Sequence, residues 1–157
     1  AADQHALLDA VRNDVLDIIA TDHAPHTWEE KQNSYFKAPS GVPLVQHSLQ
    51  ALLELYHNGV FSLETIVKKT SHAVAERFQV QDRGYIREGY FADLVLLDLG
   101  KPYVVNDSNL LYLCGWSPFN GYRFQSTIDM TLVNGQIAWQ NGQVTDQVLG
   151  KRLTFNR

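Results

Sequence analysis

Apolar positions in the first half of the chain recur at two different spacings. Ala6, Leu7, Ala10 and Val11 fall on one helical face, which predicts an amphipathic helix over residues 3–13. A turn near Asn13-Asp14 separates it from Val15-Leu16-Asp17-Ile18-Ile19, a short apolar run that reads as a buried strand. From Pro43 the positions Leu44, Val45, Leu49, Leu52, Leu53 and Tyr56 return to helical spacing, with Pro43 in the first turn and Asn58-Gly59 as the stop. Ser62 is placed to cap a further helix carrying Leu63, Ile66 and Val67, with Glu64 favourably sited in its first turn. Ser71 caps a last short helix ending near Phe78. Between these elements, residues 27–41 are polar, contain Pro39 and Gly41 and follow no period, which predicts a long loop.

Past residue 80 the pattern becomes that of strands. Arg83-Gly84-Tyr85-Ile86 and Ala92 to Asp98 read as strands separated by a turn at Glu88-Gly89. Thr127 to Val133, Asn134-Gly135 and Gln136 to Gln140 form a hairpin signal, because Asn-Gly supplies both positive-φ positions of a type I′ turn. A second Asn-Gly at 141–142 continues the meander. The chain therefore divides near residue 80 into an α/β part and an all-β part, with no internal repeat and no low-complexity segment.

Composition narrows the class. The 157 residues are 45% hydrophobic and 19% charged, as expected of one globular domain or a piece of a larger one. A net charge of -4 with scattered Lys and Arg gives no basic field for nucleic acid. A single cysteine, Cys114, excludes an internal disulfide and fits a reducing compartment. No apolar run approaches the ~20 residues that span a bilayer, and no charged-then-apolar leader opens the chain. The expectation is a soluble, cytoplasmic protein without a membrane partner. The chain starts at Ala1, already in what reads as mid-helix, which suggests a fragment.

The densest chemistry follows the first apolar run, in Ala20-Thr21-Asp22-His23-Ala24-Pro25-His26. Pro25 keeps Ala24 out of helical geometry, so Asp22 and His26 leave a strand end on a turn. The C-terminal ends of parallel strands are where α/β folds place their chemistry. Asp22 alone is equally an Asx-turn or helix cap, and His26 alone a surface histidine. Together, with Pro39-Ser40-Gly41 on a loop long enough to fold back over them, they read as a catalytic corner. Gly41 lets backbone N–H groups approach a ligand, although Ser40-Gly41 also suits a helix cap. Strand alternation turns His23 away from Asp22, which suggests a structural role. His5, His47, His57 and His72 read as surface or packing residues, and Cys114 as a small buried hydrophobe. Trp116, Phe119, Tyr122 and Phe124 form an aromatic-rich turn that reads as packing.

The run Ala20 to His26, with Lys31 five positions further on, resembles the second signature of dihydroorotases, members of the metal-dependent amidohydrolase superfamily. Ala38-Pro39-Ser40-Gly41-Val42 resembles that family's substrate loop. Arg83 to Gly89 followed by Ala92-Asp93-Leu94-Val95 resembles the superfamily's return from barrel to β-sandwich. Cys114-Gly115-Trp116-Ser117-Pro118-Phe119 and Val133-Asn134-Gly135 resemble the dihydroorotase C-terminus, and Val74 departs from the proline common there. The resemblance implies an α/β fold, the C-terminal part of a (β/α)8 TIM-type barrel followed by strands of a small composite β-sandwich. Residues 1–80 would hold the last barrel helices and the eighth strand, and residues 81–157 the C-terminal part of the sandwich.

The activity implied is reversible hydrolysis of the cyclic amide of dihydroorotate to N-carbamoyl-L-aspartate, in pyrimidine biosynthesis and with zinc. Asp22 matches the aspartate that ligates metal and serves as general base, taking the proton of a metal-held hydroxide and passing it to the leaving nitrogen. His26 matches the histidine that holds the substrate carboxylate, and Ser40 and Gly41 match substrate-binding loop positions. The family's His-x-His pair and remaining ligands have no counterpart here, and one carboxylate cannot hold a catalytic zinc. The expected partners are therefore the missing N-terminal segment, the small-molecule substrate and further copies in a homo-oligomer. Two other readings stay open: an allantoinase- or hydantoinase-type amidohydrolase, and a non-catalytic dihydroorotase-like scaffold.

Overall fold

The computed structural model describes residues 2–145, 147 and 150–156. In chain order its helices are α1 (Ala2–Arg12), α2 (Trp28–Lys31), α3 (Ser48–His57), α4 (Leu63–Val67) and α5 (Ala73–Phe78). Its strands are β1 (Leu94–Asp98), β2 (Tyr103–Val104), β3 (Arg123–Phe124), β4 (Thr127–Val133), β5 (Gln136–Gln140) and β6 (Gln143–Val144). The chain packs as two compact units, each discontinuous in sequence. One comprises Ala1–Ile19, Leu55–Asp98 and Ile128–Arg157; the other comprises Ala20–Glu54 and Leu99–Thr127. No helix among the described residues is long and apolar enough to cross a membrane.

In the first unit, α1 carries Asp3 in its first turn and Arg12 in its last, both favourable to the helix dipole. It buries Val11, and Arg12 Nε donates to the Val60 carbonyl at 3.0 Å. α4 opens on Ser62, whose hydroxyl accepts the Thr65 amide at 3.2 Å. It runs on through a π-helical turn, Lys68–His72, into α5, which closes on Gln79 at φ +56°. Ser71 lies inside that turn and donates to the Gly84 carbonyl, so it does not cap the helix as its position suggests. Phe61, Ile66 and Ala75 are buried.

The apolar run 15–19 forms no strand. A buried parallel strand needs a ladder on both edges, and the backbone bonds this run makes among the described residues go to helical segments instead: the Val15 and Leu16 amides donate to the Ala10 carbonyl at 2.9 and 3.1 Å, and the Ile19 amide to the Lys69 carbonyl at 3.0 Å. Val15 is left 73% exposed. The π-helical turn holds the segment instead. Lys69 is 2% exposed, and its ammonium meets Asp14 Oδ1 at 2.8 Å and the Leu16 carbonyl. Lys68 reaches the same carboxylate at 2.7 Å.

The sheet of this unit has the order β1-β4-β5-β6. The β4–β5 hairpin pairs Val133 with Gln136 and Met130 with Gln140, with a register shift between Thr131 and Leu132. Its turn residues Asn134 and Gly135 take φ +53° and +79°, as a type I′ turn requires. Asn141-Gly142 repeats the geometry at +53° and +81° and leads into β6. The Asn134 amide donates to Asp93 at 2.7 Å; Arg83 pairs with Asp93 and donates to Asn134 Oδ1 at 2.6 Å. Arg83 to Ile86 is thus a side-chain platform rather than the expected strand. Tyr85 stacks on His72 at 4.2 Å, with the Arg87 guanidinium 4.1 Å from the same ring.

In the second unit, β2 and β3 pair antiparallel, Tyr103 with Phe124 and Val104 with Arg123. Leu53, Val105, Phe124 and His47 are essentially inaccessible. Glu54 accepts the Gln125 amide at 2.7 Å, which ties the end of this unit's helical segment to the strand that follows.

Hydrogen bonds from Lys68 and Lys69, reinforced by their charges, hold the Asp14 carboxyl at a pKa of about 2 against an ordinary 3.8. With the folded value depressed, this stabilisation is complete above pH 3.8 and is lost as pH falls through about 2. Asp14→Asn is expected to lower Tm at pH 7, with the gap from the parent closing as acid protonates Asp14. Thermal melts between pH 7 and 2 test this; a gap that does not change with pH would exclude the charged carboxylate as its source.

Candidate active site

The four candidate residues all fall in the second unit, on two segments that the backbone brings side by side. His23 and Val42 form a parallel bridge, and the Ala24 amide donates to the Val42 carbonyl at 3.3 Å. Gly41 meets Ala24 between these points. A Cβ at position 41 would lie 2.6 Å from Ala24 Cβ and 2.8 Å from the Ala24 carbonyl oxygen, and Gly41 takes φ +97°. Both facts demand glycine. Neither Ser40 nor Gly41 caps a helix, since α3 begins at Ser48. The loop therefore folds back over the motif, as its length suggests.

Residues 27–41 are more ordered than their lack of period predicts. Thr27 and Glu30 form a capping box: the Glu30 amide donates to Thr27 Oγ1 at 3.3 Å and the Thr27 amide to Glu30 Oε2 at 2.8 Å. The resulting turn, α2, ends on Lys31. Its ammonium crosses to the loop and donates to the carbonyls of Pro39, at 2.6 Å, and Gly41, at 3.0 Å. Lys31 thus spans the base of the 38–42 loop and fixes its return.

Asp22 is exposed and takes φ +47°. Its carboxylate accepts no hydrogen bond or ion pair from any described residue. Asp14 and Asp82 take the same left-handed backbone, at φ +58° and +55°, a region that aspartate visits more readily than most residues. His26 is half-buried, with Nδ1 3.5 Å from Glu30 Oε2, and its carbonyl accepts the Trp116 indole N–H at 2.7 Å. The Thr27 amide, with a smaller contribution from His26, holds the Glu30 carboxyl below the usual carboxylate range. Ser40 is exposed beside Gly41. His23 has the structural role its alternation suggests. Its Nδ1 accepts the amides of Leu44 and Val45 at 3.1 and 3.4 Å, and its ring stacks on Tyr112 at 5.6 Å.

His26 lines a cavity of about 480 Å³, within the range of small-molecule sites. Its floor is formed by His23, Pro25 and Thr27, and a second wall by Leu111, Tyr112, Leu113 and Cys114. Trp116 is more than packing, since it holds the His26 carbonyl and meets Trp28 edge-on at 5.9 Å. Phe119, Tyr122 and Phe124 do pack, with ring centroids 4.8–6.1 Å apart. His47 lies against Phe119 and Phe124, and burial holds its pKa down at about 4. It is neutral at physiological pH, and its Nε2 has no hydrogen-bond partner among the described residues.

Of the four candidate residues, His26 lines this cavity, whereas Asp22, Ser40 and Gly41 are not part of its lining. The sequence over residues 1–138 matches the amidohydrolase family model, and the chain belongs to that family. Among particular relatives it is 37% identical over 142 residues to a dihydroorotase of Halobacterium salinarum, covering 90% of this chain and 33% of that protein. It is 32% identical over 142 residues to an allantoinase of Desulfitobacterium hafniense, covering 90% of this chain and 32% of that protein. Among solved structures, the L-hydantoinase of Arthrobacter aurescens superposes with a TM-score of 0.82 at 28% identity, over 88% of this chain and 32% of the other. The chain thus spans about a third of the length of these relatives.

Amidohydrolase family enzymes generally use a divalent metal. A catalytic zinc takes about three protein ligands, and no group of three His, Cys, Asp or Glu side chains that could hold an ion converges among the described residues. Asp22 by itself does not make a metal site.

Gly41→Ala is expected to destabilise the protein by about 1–3 kcal/mol, because the added methyl meets Ala24 on a backbone that disfavours any side chain. Adding Ala24→Gly removes the contact between the two methyls and is expected to restore part of the loss. Urea unfolding of both variants tests this, and a Gly41→Ala variant within about 0.5 kcal/mol of the parent, the scatter of an ordinary surface change, would contradict the close approach.

Proposed function

We propose that this chain is the C-terminal part of a dihydroorotase, catalysing reversible hydrolysis of the ring amide of dihydroorotate to N-carbamoyl-L-aspartate in pyrimidine biosynthesis. What supports the reading most directly is the docking of the 38–42 loop on the Asp22–His26 segment, with Lys31 clamping it. That contact brings together the two segments on which the dihydroorotase resemblance assigns catalytic and substrate-binding roles, with His26 on the lining of the cavity. The 37% identity to a dihydroorotase over 142 residues supports it independently.

In this reading residues 1–80 supply the last helices of a (β/α)8 barrel and, in the run 15–19, an eighth strand that finds its ladder only in the complete barrel, and residues 81–157 the C-terminal part of a composite β-sandwich. Asp22 takes a proton from the attacking water as its oxygen bonds to the amide carbon. It returns that proton to the ring nitrogen as the C–N bond breaks. His26 holds the substrate carboxylate, and Ser40 and Gly41 bind the ring through their backbone. Zinc is the proposed metal. Asp22 is one ligand, and the others come from an N-terminal segment that completes the site. A homo-oligomer is the proposed assembly.

The allantoinase relative at 32% identity favours a second reading, hydrolysis of a cyclic amide that carries no carboxylate. A non-catalytic, dihydroorotase-like scaffold is the other reading, and metal content of the complete protein decides between it and the enzyme.

Zinc content and dihydroorotate turnover of the complete enzyme, compared with this chain alone, test the proposal. Zinc and turnover are expected only in the complete form. Asp22→Ala is expected to reduce kcat by about 10²–10⁴-fold, the usual worth of a general acid–base group. A folded complete protein with neither zinc nor turnover would establish the scaffold instead.

A further inference from the structure

The cavity wall at Leu111–Cys114 contains no helix or strand, only a turn that the Gly115 amide closes on the Tyr112 carbonyl at 3.1 Å. Its order comes from the two residues that precede α3. The Gln46 side chain bridges the wall's start, donating from Nε2 to the Asn109 carbonyl at 2.8 Å and accepting the Leu111 amide at Oε1, also at 2.8 Å. The Gln46 backbone amide donates to the Tyr112 hydroxyl at 3.0 Å. That hydroxyl lies 3.5 Å from His47 Nδ1, beneath which the imidazole is fully buried.

Tyr112 in turn stacks on His23, two residues before Pro25, and the wall's far end is tied to the His26 carbonyl through Trp116. These contacts close a ring: Gln46, the 109–116 segment, His26, His23, and back through the Leu44 and Val45 amides to Gln46. Each of these bonds joins segments distant in sequence. Losing the Gln46 bridge opens the ring at the start of the wall, where the Leu111 amide is held by the Gln46 side chain.

We propose that Gln46 and Tyr112 are positioning residues: they touch no reacting atom, but they set the distance between the 111–114 wall and His26 and so the affinity of this cavity for its cyclic amide. The proposal rests on the reading of His26 as a substrate-binding residue. It accounts for two features that fold stability alone does not require. A glutamine amide is spent on both polar groups of one short irregular stretch, and a tyrosine hydroxyl is aimed at a backbone amide rather than at solvent.

Cys114, half-buried on the wall and the single cysteine of the chain, reports on it without any need for turnover. The test is the rate at which 5,5′-dithiobis(2-nitrobenzoate) modifies this thiol, counting any thiol outside this chain separately by peptide mapping. It is measured in the complete enzyme and in its Gln46→Ala, Gln46→Glu and Tyr112→Phe variants, with circular dichroism as the check on folding. Gln46→Ala removes two hydrogen bonds and is expected to speed modification about tenfold. Gln46→Glu keeps the acceptor for Leu111 and is expected to fall between. Tyr112→Phe, the mildest change, tests the wall even if Gln46→Ala fails to fold.

KM and kcat are then measured on whichever of dihydroorotate, allantoin or hydantoin the parent hydrolyses. KM is expected to rise in the order of the thiol rates, with kcat within about twofold, as for loss of uniform binding. Thiol rates equal to the parent's in folded variants overturn the proposal. So do faster thiol rates with unchanged KM, which would make the ring purely structural. A parent that hydrolyses allantoin or hydantoin but not dihydroorotate overturns the substrate reading while leaving the wall to be judged by the same two measurements.

Discussion

Everything that can be said of chemistry in this chain depends on one close approach, Gly41 against Ala24. The contact leaves no room for a methyl group, and it occurs at φ +97°, where L side chains are strained. It sets the distance between the motif carrying Asp22 and His26 and the loop carrying Ser40. Backbone bonds on either side and the Lys31 ammonium across the loop's two carbonyls then hold that distance. A lysine suits this role, since it presents three donors on a flexible stem to carbonyls that no helix or sheet satisfies.

The second unit is built around a polar residue, which is unusual for so small a core. His47 is buried among aromatic rings with one ring nitrogen unpartnered, and burial keeps it neutral. An unsatisfied buried donor or acceptor costs about 1–3 kcal/mol. That cost is tolerated where the other nitrogen faces two hydroxyls, those of Tyr112 and Ser117, each at 3.5 Å. The imidazole therefore joins the helical segment to the irregular 109–117 stretch, which an aliphatic side chain could fill but not hold.

Local chemistry was legible in the sequence and pairing was not. The first helix, expected over 3–13 and found at Ala2–Arg12, the Ser62 cap, the stop at Asn58-Gly59 and both Asn-Gly turns depend on neighbours within a few residues, whereas the helix expected to open at Pro43 begins only at Ser48. The one-turn helix after Thr27 was legible too, in the Thr-x-x-Glu spacing to Glu30, but the lack of apolar period hid it. Val15–Ile19 and Arg83–Ile86 have strand-like composition, yet a strand exists only when another strand supplies its ladder, which no local pattern encodes. The same holds for the site. The motif and the loop could be read as separate pieces; that they meet at Gly41, that Lys31 clamps them and that Trp116 holds His26 rest on contacts as distant as 90 positions.

If His26 holds the substrate carboxylate as proposed, it makes the site specific for a ring that bears one. The most direct measurement is kcat/KM of the complete enzyme for dihydroorotate and for hydantoin, before and after His26→Ala. Loss of a hydrogen bond to a charged group predicts a fall of about 10–100-fold for dihydroorotate, with hydantoin hydrolysis nearly unchanged. Equal losses for both substrates, or a preference for dihydroorotate that survives the substitution, would contradict the account.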